Sequence, residues 1–190
     1  MKTIRIITLA GLLAFGLKVQ ADGLYDITFS DAGGVNAGVG QIDVVGGYAV
    51  NGYFNVTAGI ALGNYSLYTA GGTGGTWNST LTSPLGAFYY DNAVYIPPTP
   101  NPQYPSDPAA YLDNGGLLFT DLSGNEINLW ANGNGTFSFY GDISNNKYDP
   151  QAIGASTITP APEPSSLALV ALMLVPAGVC FRHNRKVQLP

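Results

Sequence analysis

The sequence predicts an all-β domain, a single glycine-rich β-sandwich or barrel-like fold. Three observations carry this. Short runs alternate apolar and polar positions, the period of a half-buried strand. Twenty-two of the 25 glycines fall between residues 22 and 159 and, with Asn and Asp, interrupt those runs at turn spacing. No stretch of that region shows an apolar period of 3.6 residues.

Taken in order, the first strand spans 24–30, with Tyr25, Ile27 and Phe29 on one face and Asp26, Thr28 and Ser30 on the other. Asp31-Ala32-Gly33-Gly34 ends it. A second strand spans 41–45 and stops at the Gly46-Gly47 turn. A third spans 48–57, with Asn51-Gly52 as a hairpin turn or a bulge. A fourth spans 65–69, and 71–75 is a flexible glycine loop. Between 84 and 111 seven prolines (Pro84, Pro97, Pro98, Pro100, Pro102, Pro105 and Pro108) predict extended, polyproline-like surface structure, with Tyr95, Tyr104 and Tyr111 spaced along it. The clearest hairpin follows: 117–120 and 127–130 flank the turn-rich Asp121-Leu122-Ser123-Gly124-Asn125-Glu126. Asn132-Gly133-Asn134-Gly135 makes another turn, 136–140 the next strand, 145–150 a loop and 155–159 a last short strand.

Both ends read as targeting segments. Lys2 and Arg5 precede an apolar core over 6–17, and Val19-Gln20-Ala21 puts small residues at both cleavage positions. This is the pattern of a secretory signal peptide over 1–21, cut between Ala21 and Asp22. At the other end Ala161-Pro162-Glu163-Pro164-Ser165-Ser166 leads into an apolar span, 165–181, and a basic tail, 182–186, with Arg182, Arg185 and Lys186. Residues 167–181 carry no charge, and as a helix they cover about 22 Å of roughly 30 Å of hydrocarbon. Snorkelling of Arg182 makes up much of the shortfall, while Pro176 and Gly178 weaken the helix. Such a transmembrane helix suits a temporary hold, and the basic cluster stays cytoplasmic. The plainer reading is an ordinary C-terminal membrane anchor.

The rigid Pro162-Glu163-Pro164, the short apolar span and the basic stop together resemble the PEP-CTERM sorting signal of exported bacterial proteins. The resemblance implies an exosortase substrate. An exosortase-type membrane protease would recognise the Pro-Glu-Pro, cut nearby and deliver a secreted product to the cell surface or to an exopolysaccharide biofilm matrix. A second resemblance lies within the domain. Phe88-Tyr89-Tyr90-Asp91-Asn92, Leu112-Asp113-Asn114-Gly115-Gly116-Leu117-Leu118-Phe119 and Asn125-Glu126-Ile127-Asn128-Leu129-Trp130 look like a recurrent glycine-rich β domain found ahead of such tails. That family implies no catalytic residues.

The composition of the exported part excludes several chemistries. Between 22 and 159 only Lys147 remains of the seven Lys and Arg, against eleven of the twelve acids, a balance near −10. Such a domain repels phosphate, so nucleic acid is not an expected partner. Cys180 and His183 both lie in the tail, which rules out a disulfide, a Ser-His-Asp or Cys-His hydrolase and the usual zinc sites in the domain. Gly71-Gly72-Thr73-Gly74-Gly75 is not followed by Lys and Ser or Thr, so it is a plain loop and not a phosphate loop. Carboxylates remain. Asp91, Asp107, Asp113, Asp121, Glu126, Asp142 and Asp149 could supply an acid/base pair for glycoside hydrolysis. As solvated acids and Asx turns beside Asn and Gly they need no such role. Oxygen ligands also suit Ca²⁺, with Asp91, Asp113, Asp121 and Glu126 as the candidate ligand- or calcium-binding set, although 121–126 lacks EF-hand spacing. All twelve Tyr lie between 22 and 159, where their faces could stack on extracellular polysaccharide or simply carry strand hydroxyls to water.

The sequence thus reads as a non-catalytic exported protein, a surface or matrix component. The competing classes are a small carbohydrate-active enzyme using two carboxylates and a glycan-binding or adhesive module. Exported material is expected to begin at Asp22; N-terminal sequencing that returned Met1 would overturn the signal-peptide assignment.

Overall fold

The computed structural model describes residues 22–70 and 81–161. The chain divides after Thr159 into two compact units, and only Pro160 and Ala161 of the second are described. The signal peptide with Ala21, the 71–75 loop, Pro162-Glu163-Pro164, the apolar span and the basic Arg182, Arg185 and Lys186 lie outside the described residues.

Eight strands form the domain: β1 (Gly23–Asp31), β2 (Ala37–Val45), β3 (Tyr48–Ala58), β4 (Gly63–Leu67), β5 (Leu117–Thr120), β6 (Glu126–Ala131), β7 (Phe137–Ile143) and β8 (Asn146–Pro160). They close into an antiparallel barrel in which every strand lies beside its sequence neighbours and β8 returns to β1. Closure settles the sandwich-or-barrel alternative and leaves no free sheet edge. The seam is marked by a Thr28–Thr157 hydroxyl bond of 2.8 Å and by the Ser156 hydroxyl donating to Thr28 O.

Strand alternation fills the interior. Tyr25, Ile27 and Phe29 are all at or below 3 % exposure, as the pattern of β1 predicts. Phe29, Phe54, Phe119 and Phe139 come from β1, β3, β5 and β7 and meet at the centre. Phe29 stacks on Phe139 at 5.1 Å, and Phe54 lies 5.6 Å from Phe119 and 6.0 Å from Phe139. Alternate strands thus supply one layer of rings, the usual way a small barrel fills its bore. The even strand β2 answers with small residues. Gly38 and Gly40 point inward, and a Cβ on Gly40 would run into Tyr53 O and lie 2.9 Å from the Phe54 ring. The outer face of β1 to β3 mixes Asp26, Thr28, Gln41, Asn51 and Asn55 with exposed Leu24, Val39 and Tyr53, while the inner face is apolar. Among the described residues no helix is long and apolar enough to cross a membrane.

Two expectations change and one alternative is decided. Of a hairpin turn or a bulge at 51–52, the structure has the bulge: β3 runs through, and the register slips one residue at Val50. The predicted 145–150 loop is the start of β8, a strand of 15 residues, after a two-residue turn in which Ser144 and Asn145 have φ of 56° and 62°. Pro150 fits within the strand because its ring packs over Gly141. Residues 84–111 are only partly surface structure: their prolines are exposed, while Phe88, Tyr90, Val94, Ile96 and 110–113 are buried.

Gly40→Ala should destabilise the domain by about 1–3 kcal/mol in urea titration, because the bore has no room for the methyl. Val39→Thr, one residue along on the outer face, should stay within about 0.5 kcal/mol.

Candidate functional site

Residues 81–93 of the connection between β4 and β5 fold over the outer face of β5, β6 and β7. Its Ala87, Phe88 and Tyr90 pack on Leu118 with Tyr68, Leu81 and Tyr140, a second apolar cluster outside the barrel. Asn92 anchors it. Asn92 is fully buried with φ of 56°, a left-handed value that Asn tolerates better than most residues. Its amide donates to Tyr68 O at 2.9 Å and accepts from Leu118 N at 3.1 Å. Its backbone N donates to Gly116 O and its O accepts from Ala49 N.

That anchor sets Asp91 against Asp113, both fully buried. Asp91 Oδ1 accepts from Ala93 N at 3.0 Å. Asp113 Oδ1 accepts from Gly115 N at 2.9 Å and Gly116 N at 3.3 Å, and its Oδ2 from the Tyr95 hydroxyl at 3.3 Å. Gly115 is required here, since a Cβ would lie 2.9 Å from Asp91 Cγ. Burial, and then the charge of Asp113, pushes the Asp91 carboxyl up to about 8. At neutral pH Asp91 therefore keeps its proton, beside the Asp113 carboxyl with its three donors. Asp91 Oδ2 has no protein donor, and a proton on it gives it an acceptor in Asp113. Burial and the neighbouring carboxylates also raise the Tyr95 hydroxyl.

Tyr95 connects the pair to the surface. It lines a cleft of about 220 Å³ with Pro98, Pro100, Tyr104, Asp107 and Pro108. Most polar groups of this cleft are engaged within the fold. The Tyr104 hydroxyl donates to Ala131 O, Asn101 donates to Ala110 O and Leu112 O, and Asp107 accepts from Ala109 N and Gly135 N. What the cleft offers a ligand is ring and proline surface.

The structure brings together two of the four candidate ligand residues. Asp91 and Asp113 form the pair. Asp121 serves its own turn, accepting from Ser123 N at 2.8 Å, Asn125 N at 2.9 Å and the Asn125 amide at 2.7 Å. Glu126 lies on β6, where its Oε1 accepts from Leu85 N at 2.7 Å. Among the described residues no group of three or more His, Cys, Asp or Glu is placed to hold a metal. Asp22 accepts from Gly46 N at 2.7 Å. The sequence reading missed Asn92, Tyr95 and Asn128, whose amide donates to Tyr89 O and Gly115 O. The repeated Asp-Asn pairs, Asp91-Asn92 and Asp113-Asn114, were the available signal. The three motifs of the glycine-rich resemblance thus converge on one side of the barrel. Comparison with protein-family models, curated proteins and solved structures finds no match for the chain.

The pair makes a signed prediction. The folded Asp91 binds its proton more tightly than the unfolded chain does, so stability is greatest below about pH 4 from this group. It is lost as pH rises from there through about 8. Asp91→Asn keeps a donor toward Asp113 and an acceptor for Ala93 N. Thermal melts between pH 5 and 8 should fall for the wild type and stay flat for the variant.

Proposed function

We propose that this chain is a non-catalytic exported protein, delivered through its PEP-CTERM-like tail to the cell surface or exopolysaccharide matrix. There the barrel works through its outer surface. The observation that carries this reading is that the barrel's bore is filled by its own rings and the Asp91–Asp113 carboxyl pair is sealed. A filled bore holds no ligand, and a fully buried pair does not reach a glycosidic bond. The cleft of Tyr95, Tyr104 and prolines gives this surface the ring faces that saccharides stack on.

A carbohydrate-active enzyme is the second reading, because two carboxyls, Asp91 and Asp113, are set against each other and Asp91 is held protonated, as the acid of such an enzyme is. It needs the 84–116 connection to open and admit a sugar. Tyr95 and the Gly115-Gly116 turn now close that route.

Two measurements test the proposal. Protein recovered from the native producer, incubated with that producer's polysaccharide, should be retained and release no new reducing ends. New reducing ends that disappear in Asp113→Asn would establish the enzyme instead. For sorting, Glu163→Gln with Pro164→Ala should accumulate as full-length membrane-bound precursor while the wild type appears shortened and released. Equal release of both would place recognition outside Pro162-Glu163-Pro164.

A further inference from the structure

A second pair of carboxylates lies elsewhere on the outer face of the barrel and is treated quite differently by the fold. Glu126 on β6 and Asp142 on β7 stand directly opposite each other in register. Ile127 and Phe139 face the bore, so Glu126 and Asp142 both leave the sheet on its outer side. Directly opposed positions of this kind hold their Cβ atoms about 4.5–5.5 Å apart, and like charges there repel. Thr120 flanks Glu126 on β5 and Asp149 flanks Asp142 on β8, so three acidic positions share the row, although among the described residues no three such side chains are placed to hold one metal.

Glu126 is fully buried and Asp142 is 6 % exposed. Glu126 Oε1 is satisfied by Leu85 N, in the connection that covers it. Glu126 Oε2 and Asp142 Oδ1 are buried with no partner. Asp149 is held by the Asn146 amide at 2.6 Å and offers no donor. Lys147, the single basic residue between 22 and 159, has its Nζ 4.9 Å over the Tyr148 ring. The contrast with Asp91 and Asp113 is the argument. There, backbone amides and a tyrosine hydroxyl feed the two carboxyls. Here one amide feeds two carboxylates. Buried oxygens left without donors on adjacent strands call for a cation.

We infer that Glu126 and Asp142 hold a divalent cation, calcium by the hardness of its all-oxygen surroundings, under the Leu85 turn. With two carboxylates as protein ligands and water completing the shell, its affinity falls in the range of weak extracellular calcium modules, a Kd of about 10⁻⁴–10⁻³ M. The inference is independent of export and of any glycan.

The test uses the full chain, melted in EDTA, in millimolar CaCl₂ and in NaCl of matched ionic strength. Calcium should raise Tm above the NaCl control. Glu126→Gln with Asp142→Asn should abolish that response and raise Tm in EDTA, because the repulsion is gone. Glu126→Gln keeps the acceptor for Leu85 N. Should the double variant not fold, Asp142→Asn alone takes its place. Asp91→Asn should leave the calcium response intact. Tb³⁺ in place of calcium should give tyrosine- and tryptophan-sensitised emission that the variants lose. A wild type indifferent to calcium, or a calcium response that survives the substitutions, overturns the assignment.

Discussion

One side-chain amide holds the barrel shut where its chain is longest. β4 and β5 share only the pairs Ser66–Thr120 and Leu67–Phe119. Just beyond, Tyr68 N still reaches Leu118 O at 2.8 Å, and there the strands part. The Asn92 amide enters that gap as a peptide group would, donating to Tyr68 O and accepting from Leu118 N. A buried donor or acceptor left unmade costs about 1–3 kcal/mol, and here one side chain meets two of them. Its own backbone ties the start of β3 to the start of β5 through Ala49 N and Gly116 O. The long excursion, the second apolar cluster and the placement of Asp91 all follow from that position.

The same economy of polar groups recurs at the turns. Asp31 accepts from Gly33 N, Val35 N and Asn36 N, with the Asn36 amide added. Asp121 does the same for Ser123 and Asn125, and Asp113 for Gly115 and Gly116. In each case a carboxylate replaces the missing strand partner and fixes the backbone into a tight turn. Asp31 shows the electrostatic result: the Asn36 amide first, with the backbone donors behind it, holds its pKa below the usual carboxylate value. Many of the acids that dominate this composition are therefore structural acceptors in their own loops.

Legibility follows the range of the interaction. β1 is readable because Tyr25, Ile27 and Phe29 announce a face with nothing but period two, and the Gly46-Gly47 turn, with φ of 59° and 88°, is readable because only glycine adopts it so cheaply. The sequence predicts a loop over 145–150, where β8 in fact begins and runs through Pro150. Its tolerance depends on Gly141 across the sheet, a partner that sequence does not point to. In 84–111 the prolines do lie on the surface, as their ring geometry suggests. The buried Asn101, donating to Ala110 O and Leu112 O, folds the segment on itself through contacts no local pattern encodes. Asp91 and Asp113 were visible as candidate acids, but their pairing depends on Asn92 and on the space left by Gly115.

Charge is the remaining constraint. With one lysine against eleven acids, the domain has almost no basic side chain with which to neutralise a buried carboxylate. Three other solutions are open to such a chain: surround the carboxylate with amides, keep a proton on it, or take a cation from outside. Buried Asp113 uses amides, as the half-buried Asp31 and Asp121 also do, and Asp91 uses a proton. Glu126 and Asp142 share a single backbone amide between them, and each retains a buried oxygen without a partner. A protein that carries its charge this way is tuned by its surroundings, by acidity at one pair and by dissolved cations at the other.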